Sequence, residues 1–469
     1  MATTDPRIAR SYADATRMPF WLDRPGAPEL SGPLEGDGDA DLVIVGGGFT
    51  GLWTALQAKE EDPARDVVLL ERDSIAFGAS GRNGGFCDST LTHGLPNGLE
   101  RFPDEIGAIE AQAAENFAGM AASIARHGID CDWRTDGEML VAREPHEVAW
   151  CREASDLLHR HGYEAEVFDR DAIRAEVHSP TYLAGVCKQS GVAMLDPARL
   201  AWGLKDAILR LGVRVHEGTE VTAMRAEGSG LHVTTPGGIL TAHRSILATN
   251  GFPPLVRAIR RYVVPVYDHV LMTEPLSTEQ WDAVGWRRRQ GLADMGNRFH
   301  YYRVSDDGRI LWGGYDANYH WRNAVRPELE QREATFGLLA SQFFETFPQL
   351  DGIRFSHRWG GVIDTCSRFS VMFGTAFEGR AAYAVGYTGM GVGATRFGAR
   401  TALDLVDGRD TERTRLEMVR SKPVPFPPEP LRWAGIRLTT RALARADRRQ
   451  GRRGPWLRLL DAVGLGFDS

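Results

Sequence analysis

The segment from Asp41 to Gln57, DLVIVGGGFTGLWTALQ, limits the possible folds of this chain more than any other stretch. Leu42 to Val45 form an apolar run that reads as a buried strand. Gly46, Gly48 and Gly51 follow at once in G-x-G-x-x-G spacing, and Phe49 and Thr50 open a helix-forming run that continues to about Glu61. A second apolar strand lies in DVVLLERD and closes on Glu71 and Arg72, with Glu71 standing 20 residues beyond Gly51. Strand, glycine turn, helix, strand and acid in this order describe a parallel α/β unit. The turn brings backbone N–H groups and a helix N-terminus to a pyrophosphate, and the acid accepts hydrogen bonds from an adenosine ribose. A dinucleotide is the expected ligand.

The residues after this motif narrow the choice. A nicotinamide enzyme would continue with further βαβ units, and a second glycine turn of this spacing is missing. The chain instead gives IAFGASGRNGGF, Ile75 to Phe86, whose four glycines let backbone approach a large flat ligand. Later, DPARLAWGLKDAILRLGVRVHEGTEVTAM puts Leu200, Leu204, Ile208 and Leu211 on one helix face, with Gly212 as its stop. VRVHEGTEV and RSILATNGF read as strands, the second ending in the turn Ala248–Gly251 that contains Thr249.

Composition sets outer limits. The 469 residues suffice for two or three domain-sized units. No run approaches the roughly 18 apolar residues of a membrane span, and the first residues lack the apolar core of a signal peptide. The five cysteines are scattered, without C-x-x-C pairs or metal-ligand spacing, so no metal and a cytoplasmic setting are expected. The net charge of −7 is uneven: from Thr411 onward 13 Lys/Arg face 6 Asp/Glu. Lysine is scarce, occurring only at positions 59, 188, 205 and 422.

With the lead-in PFWLDRPGAPELSGPLEGDGDADLVIVGGGFTGL, the loop GASGRNGG, LDPARLAWGL, ILATNG and YAVGYTGMGVGATRFGARTALDL, the chain resembles the D-amino-acid oxidase/glycine oxidase superfamily of FAD-dependent amine oxidoreductases. It is most similar to the γ-glutamylputrescine oxidoreductase-like branch. The resemblance implies an α/β (α+β) fold: a Rossmann-like FAD-binding domain, discontinuous in sequence, with an inserted antiparallel-sheet substrate domain. The expected layout is an N-terminal arm (1–38), FAD-binding segments at 39–128, 195–254 and 355–410, substrate segments at 129–194 and 255–354, and a basic, proline-linked extension at 411–469. Carried over by position, Gly46, Gly48 and Gly51 cradle pyrophosphate and Glu71 holds the ribose. Ser80, Arg82, Asn83, Gly84 and Gly85 line pyrophosphate, ribityl or flavin ring, and Val221 meets the adenine. Gly389, Met390, Gly391 and Val392 approach the pyrimidine edge of the flavin. FAD is expected to be bound non-covalently, with a thioether at Cys366 as the second option.

Amine oxidation by a flavin requires a neutral nitrogen, because an ammonium has no lone pair with which to form an imine. YVVPVYDHVLMTEPL and NRFHYYRVSDDGRILWGGYDANYHWRN alternate like strands and carry aromatic residues at 267, 299, 301, 302, 312, 315, 319 and 321. These are expected to form a substrate cage. His269 and His300 are the expected hydrogen-bond partners or proton acceptors, with Tyr302, Trp312 and Tyr315 beside them. Asp268, Asp316 and His320 are the other titratable groups there. Arg298, Arg303 and Arg322 read equally as anchors for a remote anion or as solvated strand ends.

In the sarcosine-oxidase branch two basic residues grip the substrate carboxylate and a lysine helps activate oxygen. Alignment puts Cys87, Gly393 and Trp312 at those positions, which disfavours a small α-amino acid held next to the flavin. Oxygen and another electron acceptor both stay open. The expected reaction is oxidation of a primary or secondary amine to an imine, hydrolysed to an aldehyde or keto product. The alternatives are an amino-acid dehydrogenase feeding a quinone or protein, and a flavin-binding subunit of a larger complex. Nucleic acid is not an expected partner. After KPVPFPPEP the extension reads as one or two helices with an apolar stripe at Trp433, Ile436 and Leu443. Packing on the acidic body, a subunit contact, and peripheral membrane binding through arginines and Trp456 compete for it.

Overall fold

The computed structural model describes residues 5–466, so the first four residues of the arm and the last three of the extension lie outside the described residues. One sheet is built around Gly38–Val45, which runs parallel to Val67–Leu70 on one side and to Gly238–Leu247 on the other. Arg214–His216 extends it beyond Val67–Leu70, and Ala381–Val385 continues it in parallel beyond Gly238–Leu247. Leu42, Val43 and Ile44 are fully buried because both faces are covered. Leu42 and Ile44 pack with Leu52, Trp53, Leu200 and Leu204 of the helices Phe49–Glu61 and Pro197–Arg210. Val43 and Val45 pack with Leu231 and Val233 of the strand Gly230–Thr235.

A second sheet of nine strands is antiparallel except where Glu138–Ala142 lies beside Gly291–Asp294. Near one end Val263–Thr273 pairs with both Ile310–Gly314 and the edge strand Phe355–Cys366. Phe355–Cys366 pairs along its length with Val263–Thr273, so the antiparallel unit continues past residue 354, where the sequence suggested a return to the first. The helix Glu333–Thr346 covers the outer face, with Phe336, Leu339 and Phe343 packed against Leu271, Tyr302 and Trp312. The inner face is covered only in part. Phe20 and Trp21 of the N-terminal arm seal Val270, Met272, Leu311 and Trp359.

The C-terminal extension packs on the body. Val424 accepts a hydrogen bond from Ser367 at 2.6 Å, and Phe426 donates to Arg261 at 2.7 Å. The helix Leu431–Asp447 is fastened by its acids: Glu429, just before it, accepts from the Tyr319 hydroxyl at 2.5 Å, and Asp447 accepts from Asn297 at 2.7 Å. Arg437, Arg441 and Arg445 point to solvent. Trp433 lies edge-on to Trp321, and the Trp456 indole donates to Thr439 within the extension. Among the described residues no helix is long and apolar enough to cross a membrane.

Candidate active site

Parallel pairing puts the carboxyl ends of Gly38–Val45, Gly238–Leu247 and Ala381–Val385 on one edge, and three loops from distant parts of the sequence meet there. Gly46 has φ +114, and a Cβ would run into the carbonyl of Ala248. A Cβ at Gly51 would overlap the carbonyl oxygen of Gly46, so only glycine lets the helix start this close to the turn. At Gly48 a Cβ would lie 2.9 Å from the Ser80 hydroxyl, which accepts the Phe49 N–H at 2.9 Å. Glu71 accepts the N–H groups of Gly47 at 2.6 Å and Asp73 at 2.9 Å, and each carboxylate oxygen retains lone-pair capacity for a hydroxyl. Burial pushes its pKa up against those hydrogen bonds.

The Thr50 hydroxyl donates to Tyr387 at 3.0 Å, joining this helix to the loop that begins the helix Gly391–Val406. Exposed Gly389 (φ +87), half-buried Met390 and Gly391, and buried Val392 form that second start. Two helix N-termini therefore stand at one edge, where their partial positive charge favours an anion. Thr249 and Val221 are half-buried at the ends of their segments, whereas Arg72 is exposed, with its guanidinium 4.9 Å above the Phe252 ring. The cradle fits a dinucleotide pyrophosphate and ribose.

The glycine loop is pinned to the second unit. Trp21 and Trp359 donate their indole N–H groups to the carbonyls of Asn83 and Arg82, each at 2.9 Å. The Asn83 side chain donates to Ala79 and Ser80 and accepts the Gly85 N–H, which holds the loop in shape. Arg82, expected to line the ligand, commits its guanidinium to Phe77, Gly360 and the Glu330 carboxylate at 2.5 Å. Gly84 packs under the Tyr301 ring, a Cβ there lying 2.8 Å from it. Gly85 is crowded by Arg303, which donates to Leu195 at 2.5 Å and whose pKa burial pushes down to about 10.

The second sheet sorts the expected catalytic residues by face, since successive side chains on a strand point to opposite sides. His269 is fully buried on the outer face, edge-on to Phe336, with Nε2 3.3 Å from the Leu329 carbonyl. Burial pushes its pKa down to about 4. His300 is equally buried, 2.6 Å from Asp294 and 3.0 Å from Gln342, and stacks between Trp312 and Tyr315. Tyr302 donates to Asp294 at 3.1 Å and shares a hydrogen bond with Tyr182. Burial would raise the pKa of Asp294, but Arg143 and His300 hold it at about 2. In this outer group the Nδ1 of His269 and the indole Nε1 of Trp312 are buried without a hydrogen-bond partner. His269, His300, Tyr302 and Trp312, expected to meet a substrate, are buried on this helix-covered face, with Tyr315 half-buried beside His300.

The inner face carries the opposite parity. Val266 and Asp268 stand beside Ile363 and Gly361 on the paired edge strand, with Thr365 one step further, and all five are half-buried. They form an open strip. Tyr301 borders it and donates its hydroxyl to Asp268 at 2.5 Å, while the His269 N–H binds the other carboxylate oxygen at 2.8 Å. Burial pushes Asp268 up to about 6, with the Tyr301 hydrogen bond opposing that rise. The strip lies against the glycine loop through Gly361, whose Cβ would touch Arg82 at 3.3 Å. At its other end the Thr388 N–H donates to the Asp364 carbonyl, beside the Gly389–Val392 turn.

The remaining candidates are engaged elsewhere. Arg298 contacts Asp447 and donates to the Tyr315 hydroxyl at 2.9 Å, and Arg322 is exposed. Tyr319, beside Val266 at the sheet edge, is held by Glu429. Asp316 pairs with Arg332 at 2.9 Å. Cys366 is buried with Sγ 3.1 Å from the Ser370 carbonyl, on the strand face opposite Thr365, and burial raises its pKa. Its sulfur faces away from the strip, against a thioether link.

A dinucleotide cradle abutting an open antiparallel face is the architecture of a two-unit cofactor-dependent oxidoreductase. The family model for FAD dependent oxidoreductases matches residues 41–405, and the chain belongs to that family: it is an FAD-dependent oxidoreductase. It is 33% identical over 389 residues to gamma-glutamylputrescine oxidoreductase from Escherichia coli (strain K12), covering 80% of this chain and 84% of that protein. Sarcosine oxidase subunit beta from Rhodobacter capsulatus is 22% identical over 352 residues, covering 72% and 78%. The fold is similar to that of glycine oxidase from Geobacillus kaustophilus, with a TM-score of 0.65 at 19% identity over 80% of this chain and 96% of that one.

Proposed function

We propose that this protein oxidises the C–N bond of a primary or secondary amine to an imine, which water hydrolyses to an aldehyde or keto product. The observation that carries the reading is the half-open strip beside the glycine loop, with the Asp268–Tyr301 pair on it. The similarity to gamma-glutamylputrescine oxidoreductase supports an amine substrate. Gly46, Gly48, Gly51 and Glu71 would hold pyrophosphate and ribose of a non-covalent FAD. When bound, FAD supplies the two-electron acceptor, and the protein supplies position and electrostatics. Valine, isoleucine and tyrosine on the strip exclude water from the amine carbon. We place the reaction in the cytoplasm, in keeping with five unbridged, buried thiols.

Anaerobic titration of purified holoenzyme with γ-glutamylputrescine, sarcosine and glycine tests this reading. Bleaching of the oxidised-flavin bands by one of them is the expected result, and readmitted air then distinguishes oxygen from another acceptor. An intact flavin spectrum that no amine changes overturns it.

A further inference from the structure

The geometry points to Asp268 as the group that receives the substrate's ammonium and takes up its proton, with Tyr301 positioning the carboxylate; this rests on the amine reading above. Among the side chains of the strip Val266, Asp268, Gly361, Ile363 and Thr365, Asp268 alone is ionisable. One of its oxygens accepts from Tyr301 and the other from the His269 backbone, so the carboxylate is fixed in place with further lone pairs free.

The groups around it leave this role to Asp268. Tyr301 comes from His300–Val304, one strand beyond Ile310–Gly314, and its ring lies across Gly313 and against Gly84, so its hydroxyl cannot swing away. A Cβ at Gly313 would lie 2.6 Å from that ring. Asp316, beyond the end of the Gly313 strand, is neutralised by Arg332. Against Gly361, on the strip side, Arg82 is neutralised by Glu330. The His269 ring points to the opposite face, where it is buried against Phe336. A cationic amine entering the strip therefore meets one uncompensated carboxylate.

In the proposed step an N–H bond of the ammonium breaks and an O–H bond forms on Asp268. The electron pair stays on nitrogen, which becomes the neutral amine that oxidation requires. No oxidant takes part in this transfer. The partly buried site brings carboxylate and ammonium closer in proton affinity than they are in water, because both charged forms lose solvation.

The test compares Asp268→Asn and Tyr301→Phe holoenzymes with the wild type, using γ-glutamylputrescine, sarcosine and glycine. With flavin content unchanged, Asp268→Asn should slow anaerobic flavin reduction at pH 7 by about 100-fold or more. Tyr301→Phe should move the acidic limb of the reduction rate to higher pH, because the lost hydrogen bond favoured the carboxylate. A purely structural tyrosine leaves that limb in place.

A second readout does not use turnover. The amine is titrated calorimetrically into dithionite-reduced holoenzyme at pH 8, in buffers of different ionisation enthalpy. The wild type should bind without net proton exchange, whereas Asp268→Asn should bind at least about tenfold more weakly or release about one proton per site. If Asp268→Asn fails to retain FAD, the pH limb of Tyr301→Phe decides. An amine that reduces wild type and Asp268→Asn equally, with the same proton count, overturns the assignment and leaves the amine reading standing. If no amine reduces the wild type, both fall together.

Discussion

The two sheets of this protein use their strands in different ways. In the first, Gly38–Val45 and its neighbours are buried on both faces, and binding groups lie where the strands stop: at Gly46–Gly51, Glu71, Thr249 and Gly389–Val392. In the second, the proposed function lies along a strand, on whichever face is left open. The helix Glu333–Thr346 closes the outer face, and Phe20 and Trp21 close half of the inner one, so Asp268 and Tyr301 remain beside the cradle. A strand end tolerates little change in backbone but much in side chain. A strand face reverses that order, because one step along it exchanges cavity for core.

The largest expected effect tests the strand-end rule. Gly51→Val forces a branched side chain into the Gly46 carbonyl, and the purified protein should lose its flavin band completely, as read by visible absorbance alongside circular dichroism. Next is Lys205→Met. Lys205 and Glu217 are each 2% exposed and 2.6 Å apart, and Glu217 also accepts the N–H groups of Ser31 and Ile75 behind the cradle. Urea unfolding should show a loss of about 3–5 kcal/mol, from the buried charge left unpaired.

The strand-face rule gives smaller effects. The pKa of His269 falls from the ordinary 6.5 to about 4 on folding. The unfolded chain therefore takes up the proton first, and stability present above pH 6.5 is lost as pH drops towards 4. The loss is about 3 kcal/mol at most, and His269→Phe should flatten this part of the stability-against-pH curve. His300→Phe removes a partner of buried Asp294 and should cost roughly 1–3 kcal/mol, while anaerobic flavin reduction stays within threefold of wild type. Slowed reduction by that variant would reverse our assignment of the two faces. The smallest effect belongs to Arg72→Ala, at an exposed strand end. It should change stability by less than about 0.5 kcal/mol, since its Asp73 pair lies in solvent.

The cradle was legible because its constraint is local. Gly46, Gly48 and Gly51 are close in sequence; Gly46 is required by its φ of +114 and Gly51 by the carbonyl of Gly46, both within the turn. The same applies to the helix Phe49–Glu61 and to Glu71 closing its strand. The catalytic candidates and the residues proposed here differ by one residue of register: His269 and His300 lie on the covered face, while their neighbours Asp268 and Tyr301 lie on the strip face. Alternation in YVVPVYDHVLMTEPL announces a strand with two faces, but it is symmetric under exchange of those faces. The pairing of Arg82 was illegible for a related reason, because its partner Glu330 is 248 residues away.

Sequence by itself determined the dinucleotide turn, the family, and the alternation of the second sheet, since each depends on neighbours within a few dozen residues. Tertiary structure decided which parity looks inward, which arginines are already neutralised, and that Cys366 turns its sulfur away from the strip. Those choices depend on where the helix Glu333–Thr346 and the arm around Trp21 come to rest. Packing between segments hundreds of residues apart, more than the chemistry of any one strand, therefore sets Asp268 and Tyr301 beside the cradle.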